Sequence, residues 1–254
     1  MYKQGWFTIG ENRPLAREVY RMTLLGDTSA ITAPGQFVNI ALAGRFLRRP
    51  ISVCDWREGE LTIIYKILGE GTRQMSRMAP GEELDPLTGL GNGFGTRRGA
   101  AAGSKKPLLI GGGVGVPPLY RLAKDLAAEG RAPTVAMGFA SAPDAFYEEE
   151  FRALGCRVLL ATADGTLGTR GFVTDAIREG GAGYDYYFAC GPLAMLRAVH
   201  GACPTSGQLS FEERMGCGFG GCMGCSCQTI SGPKRICREG PVLEKEEILW
   251  PTQK

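Results

Sequence analysis

Four cysteines fall within residues 213–229, ERMGCGFGGCMGCSCQT, and another follows at Cys237. Four residues separate Cys217 from Cys222, two separate Cys222 from Cys225, and eleven separate Cys225 from Cys237. Cys-x4-Cys-x2-Cys with a distant fourth cysteine is the plant-ferredoxin spacing for a [2Fe–2S] cluster. Gly216, Gly218, Gly220, Gly221 and Gly224 lie in or beside the same run. A cluster held by four thiolates carries negative charge and is stabilised by backbone N–H groups aimed at its sulfurs, and chain wrapped that closely has little room for side chains. The competing assignment is a zinc site, which usually shows Cys-x2-Cys pairs at both ends. Only one such pair occurs here, preceded by an x4 gap, so the spacing favours iron and sulfur. Cys227 stands two residues beyond Cys225, an awkward offset for a shared iron, and reads as a small packed residue.

Two glycine-rich turns carry a second kind of chemistry. IGGGVGVPPLYRLA at 110–123 joins a strand to a helix and contains Gly113-x-Gly115-x-x-Pro118. Glycines there let backbone approach a pyrophosphate, and the helix start favours its negative charge. Pro117 and Pro118 suit a first helical turn. The plain alternative is a tight strand-to-helix turn. ACGPLAML at 189–196 is a second strand end and helix start, where Cys190 could flank a nicotinamide ring or be a buried cysteine before a turn. In the first hundred residues, RRPISV at 48–53 sets an arginine beside a strand, with a serine three positions on. GEGT at 69–72 precedes a short helix. An arginine and a helix start can grip a phosphate and a flavin edge; a surface arginine and a turn are the bland reading.

The elements that must position these residues fall into three parts. Residues 1–100 read as short strands such as GQFVNIAL and GELTIIYKIL, the pattern of an antiparallel barrel or sandwich, with a short helix within 71–82. RRGAAAGSKK at 97–106 has linker composition. Residues 101–205 then alternate strands with helices, 142–155 among the helices, which implies βαβ units and a doubly wound parallel sheet. Residues 206–254 form a cysteine-rich third part. No internal repeat is found.

Bulk composition narrows the class. Hydrophobic residues at 44% and charged residues at 22% are ordinary for a globular protein, and a net charge of +3 is too small for a nucleic-acid platform. The longest apolar run, PLLIGGGVGVPPLY, is too short and broken for a membrane span. The start of the chain shows no secretory h-region, so a cytoplasmic location is expected, where clustered cysteines are ligands or catalysts more often than disulfides.

Together these residues resemble a family. The order R-P-x-S, G-x-G-T, G-x-G-x-x-P, C-G-P resembles the ferredoxin–NADP reductase superfamily. The tail EERMGCGFGGCMGC…RICREGPV, with LGNGF at 90–94, is similar to the electron transfer subunit of class B dihydroorotate dehydrogenase. The resemblance implies that Arg49, Pro50, Ile51, Ser52, Ile64, Tyr65 and Lys66 contact FAD, with Gly71 and Thr72 at its pyrophosphate. It implies that Cys217, Cys222, Cys225 and Cys237 hold the cluster. The chain departs from the family in its short eleven-residue gap before Cys237 and in the lack of a proline in LTGLGNGF.

NAD exchanges two electrons as a hydride, a [2Fe–2S] cluster exchanges one, and a flavin handles both, so the chain reads as a converter between them. GFASAPDAF at 138–146 offers no arginine for a 2′-phosphate, which favours NAD over NADP. No stretch remains for a (β/α)8 domain, and His200, the one histidine, reads as a surface or packed residue. Another subunit is therefore expected to oxidise the organic substrate. By the resemblance it carries FMN, converts dihydroorotate to orotate in pyrimidine biosynthesis, and forms a heterotetramer with two copies of this chain. The other readings are a flavin subunit of a hydrogenase, sulfite reductase or transhydrogenase complex, and a non-catalytic zinc module.

Overall fold

The computed structural model describes residues 2–97 and 99–250. Arg98, inside the expected linker, and residues 251–254, at the end of the expected third part, lie outside the described residues.

The first part is built from β1 (Lys3–Gln4), β2 (Phe7–Ala16), β3 (Val19–Leu25), β4 (Phe37–Ala41), β5 (Arg49–Arg57), β6 (Glu60–Lys66), α1 (Glu70–Met75) and β7 (Glu83–Leu90). Strands pair antiparallel in the order β7-β2-β3-β6-β5-β4, and β4 pairs back onto β7, closing a six-stranded barrel with β1 added along β7. Closure removes the exposed edges that an open sheet would leave. Every second residue fills the interior: Phe7 and Ile9, Met22 and Leu24, Val38 and Ile40, Leu61 and Ile63 form one apolar cluster. The helix expected within 71–82 ends at Met75. The Asn12 side chain explains the stop, because its Nδ2 donates to the Met75 and Met78 carbonyls at 2.9 and 2.8 Å and so satisfies the helix end from the barrel.

The second part contains α2 (Gly99–Gly103), β8 (Pro107–Gly112), α3 (Pro117–Ala128), β9 (Thr134–Phe139), α4 (Glu148–Ala153), β10 (Arg157–Thr162), β11 (Thr169–Arg170), α5 (Val173–Gly180), β12 (Tyr186–Cys190), α6 (Leu193–Ala202) and β13 (Gly207–Ser210). After it come the hairpin β14 (Ser226–Thr229) with β15 (Gly232–Arg235), and then β16 (Val242–Glu244). The second sheet runs β11-β10-β9-β8-β12-β13-β16, parallel throughout except where β16 pairs antiparallel with β13. Order reverses between β8 and β12, the switch point where open α/β sheets bind ligands. Leu109, Val135 and Phe188 face α3, whereas Leu108, Ile110 and Ala189 face α6.

Two further details differ from the sequence expectation. Within 142–155 the helix begins only at Glu148, because Ala142–Asp144 makes a separate 3-10 turn and Tyr147 takes φ +69°. The sheet also continues past residue 205 through β13, and the chain returns to it at β16, so the cysteine-rich stretch leaves and re-enters the nucleotide sheet. No helix among the described residues is long and apolar enough to cross a membrane.

Barrel and sheet are latched by α3. The Arg121 guanidinium lies 4.0 Å from the centroid of the Trp56 ring, and Lys124 Nζ is 2.6 Å from Asp55 Oδ2.

Candidate functional site

Arg49, Pro50, Ile51, Ser52, Ile64, Tyr65, Lys66, Gly71 and Thr72 all line one cleft of about 590 Å³ on the barrel. Antiparallel pairing brings them together: β5 supplies the first four, β6 the next three, and α1 the last two. The Arg49 guanidinium crosses directly over Gly71, where any Cβ would overlap its Nε, so glycine at 71 is required for the arginine to lie at the start of α1. The Arg49 Nη1 is held by the Leu47 carbonyl at 2.6 Å. Thr72 Oγ1 accepts the Leu68 N–H at 3.0 Å and fixes the turn. Tyr65 donates to Asn12 Oδ1 at 2.9 Å and stacks on Tyr20; burial raises its phenol well above the usual range.

Residues distant in sequence complete this cleft. Val114 enters from the glycine turn after β8, and Glu212 and Arg214 enter from the chain between β13 and Cys217. Burial, and then the neighbouring Glu213, raises the Glu212 carboxyl above the usual carboxylate range. In the sequence their stretch, EERM, marks only the lead-in to the cysteines; the approach of that segment to β5 and β6 is what places them at the cleft.

A second cleft of about 560 Å³ opens at the switch point and shares Lys66 and Val114 with the first. Gly113, at φ +52°, lines it. Gly115 is not among its lining residues; a Cβ there would run into the Cys190 carbonyl oxygen, so this glycine serves the close packing of the turn against the end of β12. Cys190 does not line this cleft either. It is buried, and burial pushes its thiol up to about 12. Phe139, Phe146 and the exposed Phe172 give the cleft an apolar wall, and Asp144 marks its edge. The stretch 138–146 holds no arginine, but Arg17 of the barrel reaches it and pairs with Asp144 at 2.5 Å.

The four candidate ligand cysteines form two pairs. At the outer pair, Cys217 Sγ accepts the N–H groups of Gly221 at 3.2 Å and Cys222 at 3.4 Å, and Cys222 Sγ accepts the Cys217 N–H at 3.5 Å. Partial burial opposes ionisation of Cys217, but the N–H groups of Phe219, Cys222 and Gly221 outweigh it and bring the thiol down to about 6. At the inner pair, Cys225 and Cys237 are buried, and the Cys237 N–H points at Cys225 Sγ at 3.4 Å. Burial and the Cys225 thiol push Cys237 up to about 12. Phe37, Leu87, Leu90, Ile236 and Leu243 pack around this pair. Gly218 and Gly220, at φ +79° and +93°, make the outer turn. Cys227 packs half-buried on the same apolar cluster.

Among the described residues no three His, Cys, Asp or Glu side chains converge on a single-ion site. A two-iron cluster takes two thiolates on each iron. Two thiol pairs with N–H groups already directed at sulfur fit that donor set. His200 does not enter any of the three sites; it packs edge-on against Trp250.

The iron–sulfur cluster binding domain of dihydroorotate dehydrogenase B matches residues 212–249. The electron transfer subunit of dihydroorotate dehydrogenase B (NAD(+)) from Geobacillus sp. (strain WCH70) is 42% identical over 98% of this chain and all of its own. The subunit of the same name from Bacillus pumilus (strain SAFR-032) is 41% identical over 97% and 98%. The chain belongs to the family of dihydroorotate dehydrogenase B electron transfer subunits. A chain of an NADH-dependent reduced ferredoxin–NADP oxidoreductase superposes with a TM-score of 0.85 at 28% identity, covering 96% of this chain and 90% of its own. A ferredoxin–NADP+ reductase from Neisseria gonorrhoeae, solved with FAD and NADP, reaches 0.67 over 79% and 90% at 14% identity, a likeness of fold alone.

Proposed function

We propose that this chain is the electron transfer subunit of a class B dihydroorotate dehydrogenase, carrying electrons from an FMN-containing partner through a [2Fe–2S] cluster and FAD to NAD+ in pyrimidine biosynthesis. One observation carries the reading. The β5–β6 cleft, the glycine turn at Val114 and the lead-in to Cys217 through Glu212 and Arg214 meet at a single place. A converter needs its sites close together: the two clefts share Lys66 and Val114, and the segment leading into Cys217 lines the first of them.

Arg49 and the turn at Gly71–Thr72 would hold the FAD pyrophosphate, and Pro50, Ile51, Ser52, Ile64, Tyr65 and Lys66 would contact the rest of the cofactor. Gly113 would let the NAD pyrophosphate approach the backbone, while Phe139, Phe146 and Phe172 exclude water from that cleft. Cys217 and Cys222, with Cys225 and Cys237, would hold the two irons. When bound, the flavin supplies the exchange between two-electron and one-electron chemistry. Cys190, buried outside the cleft, acts in this reading as a packing residue behind Gly115. The division into residues 1–100, 101–205 and 206–254 is retained as three functional parts, with β13 and β16 as the struts joining the third to the second.

The partner would dock beside the outer cysteine pair. Phe219 and Met223 are exposed there, and the Tyr2 ring stacks on Phe219 at 5.5 Å. Isolated apolar residues are ordinary at a surface, but an aromatic pair on a cofactor loop suits an interface. The assembly is a cytoplasmic heterotetramer with two copies of each subunit. Anaerobic purification with the FMN-containing partner, followed by dihydroorotate-dependent reduction of NAD+, tests the reading. Activity is expected only with both chains; activity of this chain alone, or none with the partner, refutes it.

A further inference from the structure

We propose that Asn39 is a positioning residue which fixes the Cys217 end of the cysteine loop against β4, the neighbour of the strand bearing Arg49, Pro50, Ile51 and Ser52 of the flavin cleft. The inference rests on the reading of the two cofactor sites given above and goes beyond it, because Asn39 lines neither.

Asn39 lies in β4 and is 1% exposed. Its Nδ2 donates to the Cys217 carbonyl at 3.2 Å. The contact is tight from the other side as well: a Cβ on Gly218 would overlap that same Nδ2. The backbone carbonyl of Asn39 accepts Arg48 Nη1 at 3.2 Å, and Arg48 Nη2 pairs with Asp85 at 2.8 Å. A continuous line of bonds therefore runs from the cysteine loop, through Asn39, to the residue preceding Arg49.

Register explains why this position matters. In the antiparallel ladder Phe37 faces Ser52 and Asn39 faces Pro50, with Val38 and Ile40 turned into the barrel core. Strand periodicity puts Phe37, Asn39, Pro50 and Ser52 on one outer face. Phe37 packs in the cluster with Cys225 and Cys237, and Asn39 holds Cys217. Pro50 and Ser52 line the flavin cleft. The cysteine loop and the cleft are thus seated on adjacent strands, which in any sheet lie about 4.8 Å apart. A loop shifted off β4 would shift its sulfurs relative to that cleft.

The amide is a poor choice for stability alone. Its Oδ1 is buried and has no hydrogen-bond partner among the described residues. A leucine has the same number of side-chain heavy atoms and would remove that unsatisfied acceptor, while the Cys217 carbonyl, on a half-buried residue, would have to bond water instead. The donor to Cys217 is what the leucine would lack.

The test uses the full chain with Asn39→Leu, and Gly218→Ala as the approach from the loop side. In the unloaded chain, hydrogen exchange of the Gly221 and Cys222 amides, which bond to Cys217 Sγ, is expected to quicken by about five- to tenfold in Asn39→Leu, the loss of one hydrogen bond. The melting temperature is expected to fall by no more than the loss of one hydrogen bond allows, a few degrees, and FAD uptake to be unchanged. After anaerobic reconstitution with iron and sulfide, the electron paramagnetic resonance g-values of the reduced chain are expected to shift in both variants. Unchanged exchange at those amides overturns the proposal, as does a larger fall in melting temperature with exchange quickened throughout the barrel. Failure of wild type to take up iron would instead refute the cluster assignment, while the exchange measurement would still decide the role of Asn39.

Discussion

The outer and inner cysteine pairs sit in one loop and are built on opposite principles. Cys217 and Cys222 are held near the surface by backbone N–H groups in a glycine turn, whereas Cys225 and Cys237 are held by apolar packing against β4 and β7. Hydrogen bonds to sulfur lower one thiol of the outer pair, and burial raises one of the inner. The contrast teaches that a short loop can take stability from the core at one end while keeping exposure at the other. Exposure faces the proposed partner; burial ties the loop to the barrel.

Removing the packing should do the most damage. Phe37→Ala deletes an aromatic ring shared by the barrel wall and the inner pair, and a cost of about 3–5 kcal/mol is expected. A lowered urea midpoint and rapid labelling of Cys237 in the unloaded chain would show it; a midpoint within error of wild type would mean the inner pair does not depend on packing.

Buried thiols elsewhere provide a control on whether burial alone sets acidity. Cys54 and Cys190 are both pushed up to about 12, with burial the main cause in each. A thiol raised in the folded state keeps its proton there while the unfolded chain loses it above about 9, so stability should fall as pH rises from 9 towards 12. Each group contributes a slope of about 1.4 kcal/mol per pH unit. Urea midpoints at pH 8 and pH 10 should therefore differ, and Cys54→Ala should flatten the decline. A flat profile in wild type would remove the argument.

Disturbing the turn should be milder and local. Alanine at Gly220 meets φ +93° and places a Cβ 2.7 Å from Arg238 Cδ, with a cost of about 1–2 kcal/mol. Iron retained after chelator challenge should drop while the urea midpoint of the barrel holds. The smallest effect is expected from Cys227→Ser, about 1 kcal/mol or less, with iron and sulfide content at the wild-type level. A lost iron would make Cys227 a ligand and remove one of the four.

Much of the molecule is legible in its sequence. Cysteine spacing is a local signal, and the R-P-x-S and G-x-G-T residues assigned to one site line one cleft because β5 and β6 are joined by a short hairpin. Strand and helix alternation gave the doubly wound sheet for the same reason: periodicity is local. What escaped reading is what depends on the approach of distant segments. Glu212, Arg214 and Val114 reach the cleft across the fold, and Arg17 reaches Asp144 from the barrel. Gly113 and Gly115 look alike in the sequence, yet one lines a cleft and the other fills a contact with β12. Asn39 sits in an ordinary strand with nothing to flag it.

Because β13 and β16 are neighbours, the thirty-one residues between Ser210 and Val242 start and finish a strand's width apart. Such a detour is planted on two feet in the same scaffold. Its length can change at little entropic cost, since closing a loop depends only on the logarithm of its size. A graft of a longer or shorter cysteine segment between those feet should leave the nucleotide sheet standing, which makes this stretch a natural socket for exchanging one electron relay for another.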